Sequence, residues 1–146
     1  MAKTPSRKIY FAASIRSGRE YQPTYSAIIK HLKRYGRVLT EHVGAASLGD
    51  AGEEDLTDEQ IFRRDADWIR DADILIADAS LPSLGVGYEI GFAESLRKPI
   101  LCLYFTRAEK QLTAMLAGNP SCTVLTYGNL QEALGRIDGF FASLDE

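Results

Sequence analysis

Glu89 follows the segment Ala79–Gly87 (ASLPSLGVG) and opens a stretch that reads as a helix. A carboxylate in the first turn of a helix lies near free backbone N–H groups, which hold it ionised. That is the state a nucleophile needs. Helix-dipole stabilisation alone would account for an ordinary Glu there, so its neighbours decide the reading. Arg63-Arg64-Asp65-Ala66-Asp67 on the preceding helix offers a second carboxylate. This charge run is either a solvated helix face or the source of an acid partner for Glu89. Asp65 and Asp67 are two places apart and cannot share a face, so spacing leaves the choice between them open.

Two turns could bind an anion. Ala13-Ser14-Ile15-Arg16-Ser17-Gly18-Arg19 follows the first expected strand, and Ser80, Pro82, Ser83, Gly85 and Gly87 follow the third. Each leads from a strand into a helix, so each presents backbone N–H groups at a helix N-terminus. Ser14, Arg16 and Ser83 add side-chain donors, and a single phosphate group fits the pair. Gly85-Val86-Gly87 does not complete the dinucleotide fingerprint, because position 90 is Ile and the turn follows the wrong strand. No GxxxxGK[ST] or GxSxG segment is present. His31 and His42 are the only histidines and have no partners at metal-ligand spacing, so no metal or cofactor is expected. His31 reads as a surface residue. His42 follows the second strand and is a candidate pocket residue. Tyr21, Phe62 and Met115 are candidates to contact a base, with core or interface packing as the plainer reading.

The elements that must hold these residues alternate. Strands are expected at Lys8–Ala12, Val38–Thr40, Ile74–Ala77, Ile100–Phe105 and Thr123–Thr126. Helices are expected at Tyr21–Tyr35, from the Thr57–Gln60 capping box to about Asp71, at Tyr88–Leu96, near Leu112–Ala117 and at Asn129–Leu144. Gly44–Asp55 reads as a loop. On the second helix, Ile61, Phe62, Trp68 and Ile69 are expected on the buried side. This order predicts an α/β domain: a doubly wound, five-stranded parallel sheet of flavodoxin-like or Rossmann-like type, with ligands bound beyond the carboxyl ends of the strands.

The chain has 146 residues and a formal net charge of −3, which suits one domain over residues 1–146 and argues against a nucleic-acid polymer as partner. The polar opening Met1–Arg7 is expected to fray. Cys102 and Cys122 are expected to be buried free thiols. No apolar stretch reaches membrane-span length and no secretion signal is evident, so a cytoplasmic protein is expected, or a nuclear one in a cell with a nucleus.

Tyr10-Phe11 with Ser14-Ile15-Arg16, Leu39-Thr40-Glu41-His42-Val43, Pro82-Ser83-Leu84-Gly85-Val86-Gly87-Tyr88-Glu89, and Lys98-Pro99-Ile100-Leu101-Cys102-Leu103 resemble the 2′-deoxynucleoside 5′-phosphate N-hydrolases of the nucleoside 2-deoxyribosyltransferase superfamily. The resemblance implies hydrolysis of the N-glycosidic bond of a nucleoside 5′-monophosphate. It implies Glu89 as nucleophile, Asp65 as the aspartate that assists the leaving base, and Tyr10 as the residue orienting Glu89. Ser14, Ile15, Arg16, Arg19, His42, Ser83, Gly85, Thr113 and Met115 then belong to the substrate site, with the phosphate at Ser14, Arg16 and Ser83. It further implies a homodimer in which Thr113 stands where relatives carry a serine that reaches the neighbouring site. Ala13 stands where the family has glycine beside the sugar. A deoxyribosyltransferase and a non-catalytic nucleotide-binding regulator are the rival readings.

Overall fold

The computed structural model describes residues 7–15, 21–45, 48–49 and 52–146. Five parallel strands form one sheet in the order β2-β1-β3-β4-β5. They are β1 (Lys8–Ala12), β2 (Arg37–Val38), β3 (Ile74–Asp78), β4 (Ile100–Phe105) and β5 (Thr123–Tyr127). The helices are α1 (Gln22–Leu32), α2 (Asp58–Asp71), α3 (Leu84–Ser95), α4 (Ala114–Ala117) and α5 (Leu130–Leu144). This is the flavodoxin-like strand order, with its switch point between β1 and β3.

Alternation along the strands sorts the core into two layers. Ile9, Phe11, Ile74 and Ile76 face α1 and α5, beside Ile28, Leu32, Ile137 and Phe141. Tyr10, Ala12, Leu75 and Ala77 face the other side, with Ile69, Val86, Ile90 and Ala93 from α2 and α3. Every residue of β3 is buried, as a central parallel strand covered on both faces requires. The same alternation sends Tyr10 toward α2 and α3, the helices that carry Asp65 and Glu89.

Strand β2 is shorter than expected because the side chain of Thr40 takes over the pairing. Its hydroxyl accepts from Phe11 N at 2.9 Å and donates to Phe11 O at 2.7 Å. The chain then turns through a short 3₁₀ segment, Glu41–Gly44, which carries His42. The Thr57 capping box forms as expected: Thr57 N donates to Gln60 Oε1 at 2.9 Å and Gln60 N to Thr57 Oγ1 at 3.1 Å. It fixes where α2 starts, and with it the direction in which Asp65 points two turns later.

Several expectations are corrected. Helix α3 starts at Leu84, so Gly85 and Gly87 are helical residues and not part of the turn. Ser83 caps it, accepting from Val86 N at 3.2 Å. His31 is buried, with Nε2 2.7 Å from Asp138 Oδ1, and the Tyr35 hydroxyl donates to the same oxygen. Tyr35 stacks on Phe141 at 4.0 Å, joining α1 to α5. Phe62 is 54% exposed and not a core residue. Arg7, expected to fray with residues 1–6, is held 2.9 Å from Asp145 at the C-cap of α5 and lies over the Phe141 ring. Residues 1–6 themselves lie outside the described part. Cys102 and Cys122 are free and buried as expected, and burial pushes both thiols up. Gly36 permits a close crossing, since a Cβ there would sit 2.2 Å from Arg7 O.

Candidate active site

At the switch point the chain leaves β1 toward one face and β3 toward the other, and a cleft of about 620 Å³ opens between their exits. Its size suits a small molecule. Ala13 and Ile15 line it from the turn after β1, Asp65 and Ala66 from α2, and Ser83, Gly85 and Glu89 from the N-cap and first two turns of α3. Gly52 and Glu53, from the approach to α2, close one side, and Phe62, Tyr88 and Phe92 supply an aromatic wall. The Phe62 and Tyr88 rings meet edge-on at 6.3 Å, and Tyr88 stacks on Phe92 at 6.4 Å.

Glu89 and Asp65 face the same cleft, and Tyr10 sits beneath them. Burial raises the Glu89 carboxyl most, the Tyr10 hydroxyl hydrogen-bonded to it pulls it down, and the Asp65 charge adds to the rise. The outcome is a carboxyl pushed up to about 7. This corrects the expectation that the helix N-terminus holds Glu89 ionised. With α3 beginning at Leu84, Glu89 falls in the second turn, past the free N–H groups, and burial wins. Burial likewise pushes the Tyr10 hydroxyl far up, with the Glu89 and Asp65 charges adding, so Tyr10 stays a donor.

Asp65 is the inward carboxylate of the charge run. Asp67 is exposed and pairs with Arg70 at 2.9 Å. Burial raises the Asp65 carboxyl, while the Arg64 charge and hydrogen bond and the His42 ring lower it. Arg64 Nε donates to Asp65 Oδ1 at 3.0 Å. Its two terminal nitrogens reach Glu53 at 2.7 and 2.6 Å, a bidentate grip that holds the Glu53 carboxyl below the usual range. The guanidinium lies over Trp68 at 4.6 Å and 3.4 Å from His42 Nε2. Arg64 and Glu53 were missed in the sequence, since an Arg in a charge run and a Glu in a loop carry no periodic signal.

The other expected site residues divide. Ile15, Ser83 and Gly85 line the cleft. Ser14 is fully buried at the end of β1, and its hydroxyl has no hydrogen-bond partner among the described residues. A buried donor left free in that way costs about 1–3 kcal/mol unless something arrives to accept from it. His42 does not line the cleft; it stands behind it against Arg64 and Trp68. Thr113 and Met115 line a second cleft of about 650 Å³ on the far side of the α3 N-terminus, bounded by Ser80, Pro82 and Leu112. Thr113 caps α4, accepting from Met115 N at 3.3 Å. Tyr21 packs against Tyr25 and Phe105, away from the cleft. Arg16 and Arg19 lie outside the described residues.

Another polar group unread in the sequence braces the exit of β3. Asp78 is fully buried and accepts from Tyr127 Oη at 2.6 Å and Ser80 N at 2.9 Å. Ser80 Oγ in turn accepts from Phe105 N at 2.9 Å. These bonds fix the turn that delivers Ser83 to the cleft.

Gly85 presents bare backbone to the cleft. A Cβ there would lie 3.9 Å from Glu89 Oε1 and 3.8 Å from Ser83 Oγ, in ordinary contact with protein but inside the cleft. Gly85→Ala is therefore expected to stabilise the protein by roughly 0.5–1 kcal/mol through helix propensity. The same methyl is expected to raise KM at least about tenfold, which costs roughly 1.4 kcal/mol of binding. A thermal melt and a KM measurement on one preparation check both halves; equal KM values would remove Gly85 from the binding surface.

A flavodoxin-like domain with two facing carboxylates at its switch point is the class that fold and site define. A family model described as nucleoside 2-deoxyribosyltransferase matches residues 9–132, and the chain belongs to that family. It is 51% identical over 111 residues to the 5-hydroxymethyl-dUMP N-hydrolase of Mus musculus, a match covering 75% of this chain and 64% of that protein. The protein of the same name from Rattus norvegicus is 49% identical over 111 residues, covering 75% of this chain and 68% of the relative. The chain thus spans about two thirds of the length of these relatives. The fold is shared with a Clostridium botulinum CMP N-glycosidase, BcmB, at a TM-score of 0.68 and 20% identity, over 92% of this chain and 99% of that one.

Proposed function

We propose that this protein is a glycosidase that hydrolyses the N-glycosidic bond of (2′-deoxy)nucleoside 5′-monophosphates through a covalent glycosyl-Glu89 intermediate. The observation that carries the proposal is the pairing of Glu89 and Asp65 across one cleft with Tyr10 beneath them. Burial raises both carboxyls, so each keeps its proton to higher pH than a free carboxyl does. The Tyr10 hydrogen bond favours the arrangement in which Glu89 is the ionised one. Glu89 then attacks C1′, the C1′–N bond breaks, and the departing base takes the proton of Asp65. In the second half Asp65, now ionised, accepts a proton from water as that water attacks C1′ and frees Glu89. This is the two-carboxylate chemistry of a retaining glycosidase, and a carboxylate near C1′ stabilises the oxocarbenium charge of both transition states.

The 5′-phosphate is assigned to Ser14, Ser83 and the first N–H groups of α3, with Arg16 added from the sequence. Ser14 has a buried hydroxyl free to donate, and the helix N-terminus favours an anion. Phosphate contacts remote from C1′ supply binding energy for positioning. The aromatic wall of Phe62, Tyr88 and Phe92 is assigned to the base.

A cytoplasmic homodimer, with Thr113 reaching the neighbouring site, completes the proposal. Thr113 faces the cleft opposite Glu89's, so in one chain it is on the wrong side of α3. On the outer face of α3, Leu84 is 96% exposed and Tyr88 60%, with Gly87 and Gly91 between and beside them. A helix apolar on its outer face, with small residues that allow close approach, suits burial against a second copy.

Base release by chromatography tests the reaction, using a panel of dNMPs, NMPs, unphosphorylated nucleosides and 5-hydroxymethyl-dUMP, the nucleotide in the relatives' name. Base released from monophosphates is the expected result. Release confined to unphosphorylated nucleosides, with exchange onto a second base, would assign a transferase; binding with no release from any member would assign a regulator.

A further inference from the structure

We infer that Arg64, clamped by Glu53, is the positioning residue that aims Asp65 and sets its proton affinity for both halves of the reaction. The inference rests on the glycosidase reading above and adds a residue to it. Asp65 has to release a proton in the first half and take one up in the second, so its affinity must stay between the two extremes. Burial alone drives it up. The largest opposing influence is Arg64, whose Nε holds Asp65 Oδ1 at 3.0 Å, and His42 adds a smaller one.

Arg64 is itself fixed. Glu53 takes both terminal nitrogens at 2.7 and 2.6 Å, and Trp68 supports the guanidinium plane at 4.6 Å. Glu53 and Asp65 both line the cleft, while Arg64 stands behind them. The arginine thus joins a wall of the cleft to the acid, holds the oxygen of Asp65 in one direction, and shares its charge between two carboxylates. The remaining groups around Asp65 are His42 from the 3₁₀ segment, Tyr10 from β1 and Glu89 from α3. His42 lies 3.7 Å from Glu53, and when protonated it too compensates the carboxylates. A lysine cannot reproduce the arrangement, because one ammonium lacks the planar fork that reaches Asp65 and Glu53 together.

The test reads Asp65 directly and then the reaction. Carboxyl-¹³C NMR of aspartate-labelled protein follows the Asp65 titration in wild type, Arg64→Gln and Glu53→Gln, with circular dichroism checking the fold. Arg64→Gln removes the cation and is expected to move the Asp65 midpoint to higher pH. Glu53→Gln removes an anion and frees Arg64 for Asp65, so the midpoint is expected to move the other way. In turnover, the alkaline limb of kcat/KM should follow these midpoints, and Arg64→Gln should lower kcat roughly 10- to 100-fold. Arg64→Lys should return the limb toward wild type but leave kcat low. Unmoved midpoints in a folded Arg64→Gln and Glu53→Gln pair would overturn the inference, as would a kcat loss with no change in the limb. Should Arg64→Gln not fold, Glu53→Gln and Arg64→Lys carry the same comparison. Absence of turnover in the wild type would overturn the glycosidase reading alone, since the NMR titration needs no substrate.

Discussion

Glu89→Gln is expected to lose about 10⁴-fold or more in turnover and, at the same time, to melt higher than the wild type at pH 8. The first effect is the scale on which enzymes lose rate when their nucleophile goes. The second follows from the position of the carboxyl. Burial raises Glu89 from 4.5 to about 7 in the folded protein, against the pull of Tyr10. The folded state therefore binds that proton more tightly than the unfolded chain does. The sign follows from linkage: this stabilisation is complete below about 4.5 and is lost as pH rises through about 7. Above pH 7 the ionised Glu89 costs on the order of 2–3 kcal/mol, reduced by whatever water reaches it. Glutamine cannot ionise, still accepts from the Tyr10 hydroxyl, and avoids that cost. For a chain of this size the gain is roughly 5–10 °C at pH 8 and close to nothing at pH 4.5. Thermal scans of both proteins at the two pH values, with base release alongside, check the pair of effects. A melting difference that ignores pH would place Glu89 in ordinary solvent. Undiminished release by the variant would take the nucleophile's role from it.

The same residue shows what the sequence could and could not say. The order of strands was legible because apolar runs such as Ile74–Ala77 and Ile100–Phe105 have no other economical use in a chain of this composition. That ligands bind beyond the carboxyl ends of the strands followed from that order, while the switch point between β1 and β3 needed the spatial order of the sheet. The start of α3 was not legible, because Gly85 and Gly87 read locally as turn residues. What overrules them is a local cap together with tertiary packing: Ser83 caps the helix, and Val86 and Ile90 are buried against the sheet. The error moved Glu89 by a turn and reversed the expected direction of its proton affinity. Pairings across long separations were equally invisible. His31 meets Asp138, Asp78 meets Tyr127, and Arg64 reaches back to Glu53, each between elements whose own patterns say nothing of the other. Phe62 was misassigned for a related reason, since helical spacing marks a face as apolar without saying whether protein or a cleft covers it.

Asp65→Asn is expected to separate the two halves of the reaction. Asparagine keeps the size and the contact with Arg64 Nε, so the fold and the cleft should persist. It has no proton to give to the departing base and cannot take one from water. Loss of general acid catalysis lowers kcat/KM by about 10²–10⁴-fold for a base that leaves poorly. A base that departs readily as an anion needs little protonation, and its loss should be much smaller. Water attack on the glycosyl ester still lacks its base, so with such a substrate the first half outruns the second and the intermediate accumulates. Intact-protein mass spectrometry after rapid mixing should then show Asp65→Asn heavier by a (deoxy)ribose 5-phosphate less one water, and the adduct should be absent from the Asp65→Asn/Glu89→Gln double variant. A rate loss that is the same for every leaving base would argue that Asp65 positions substrate and transfers no proton. No adduct under any condition, and steady base release with no burst, would argue that water attacks C1′ directly and that Glu89 acts on that water.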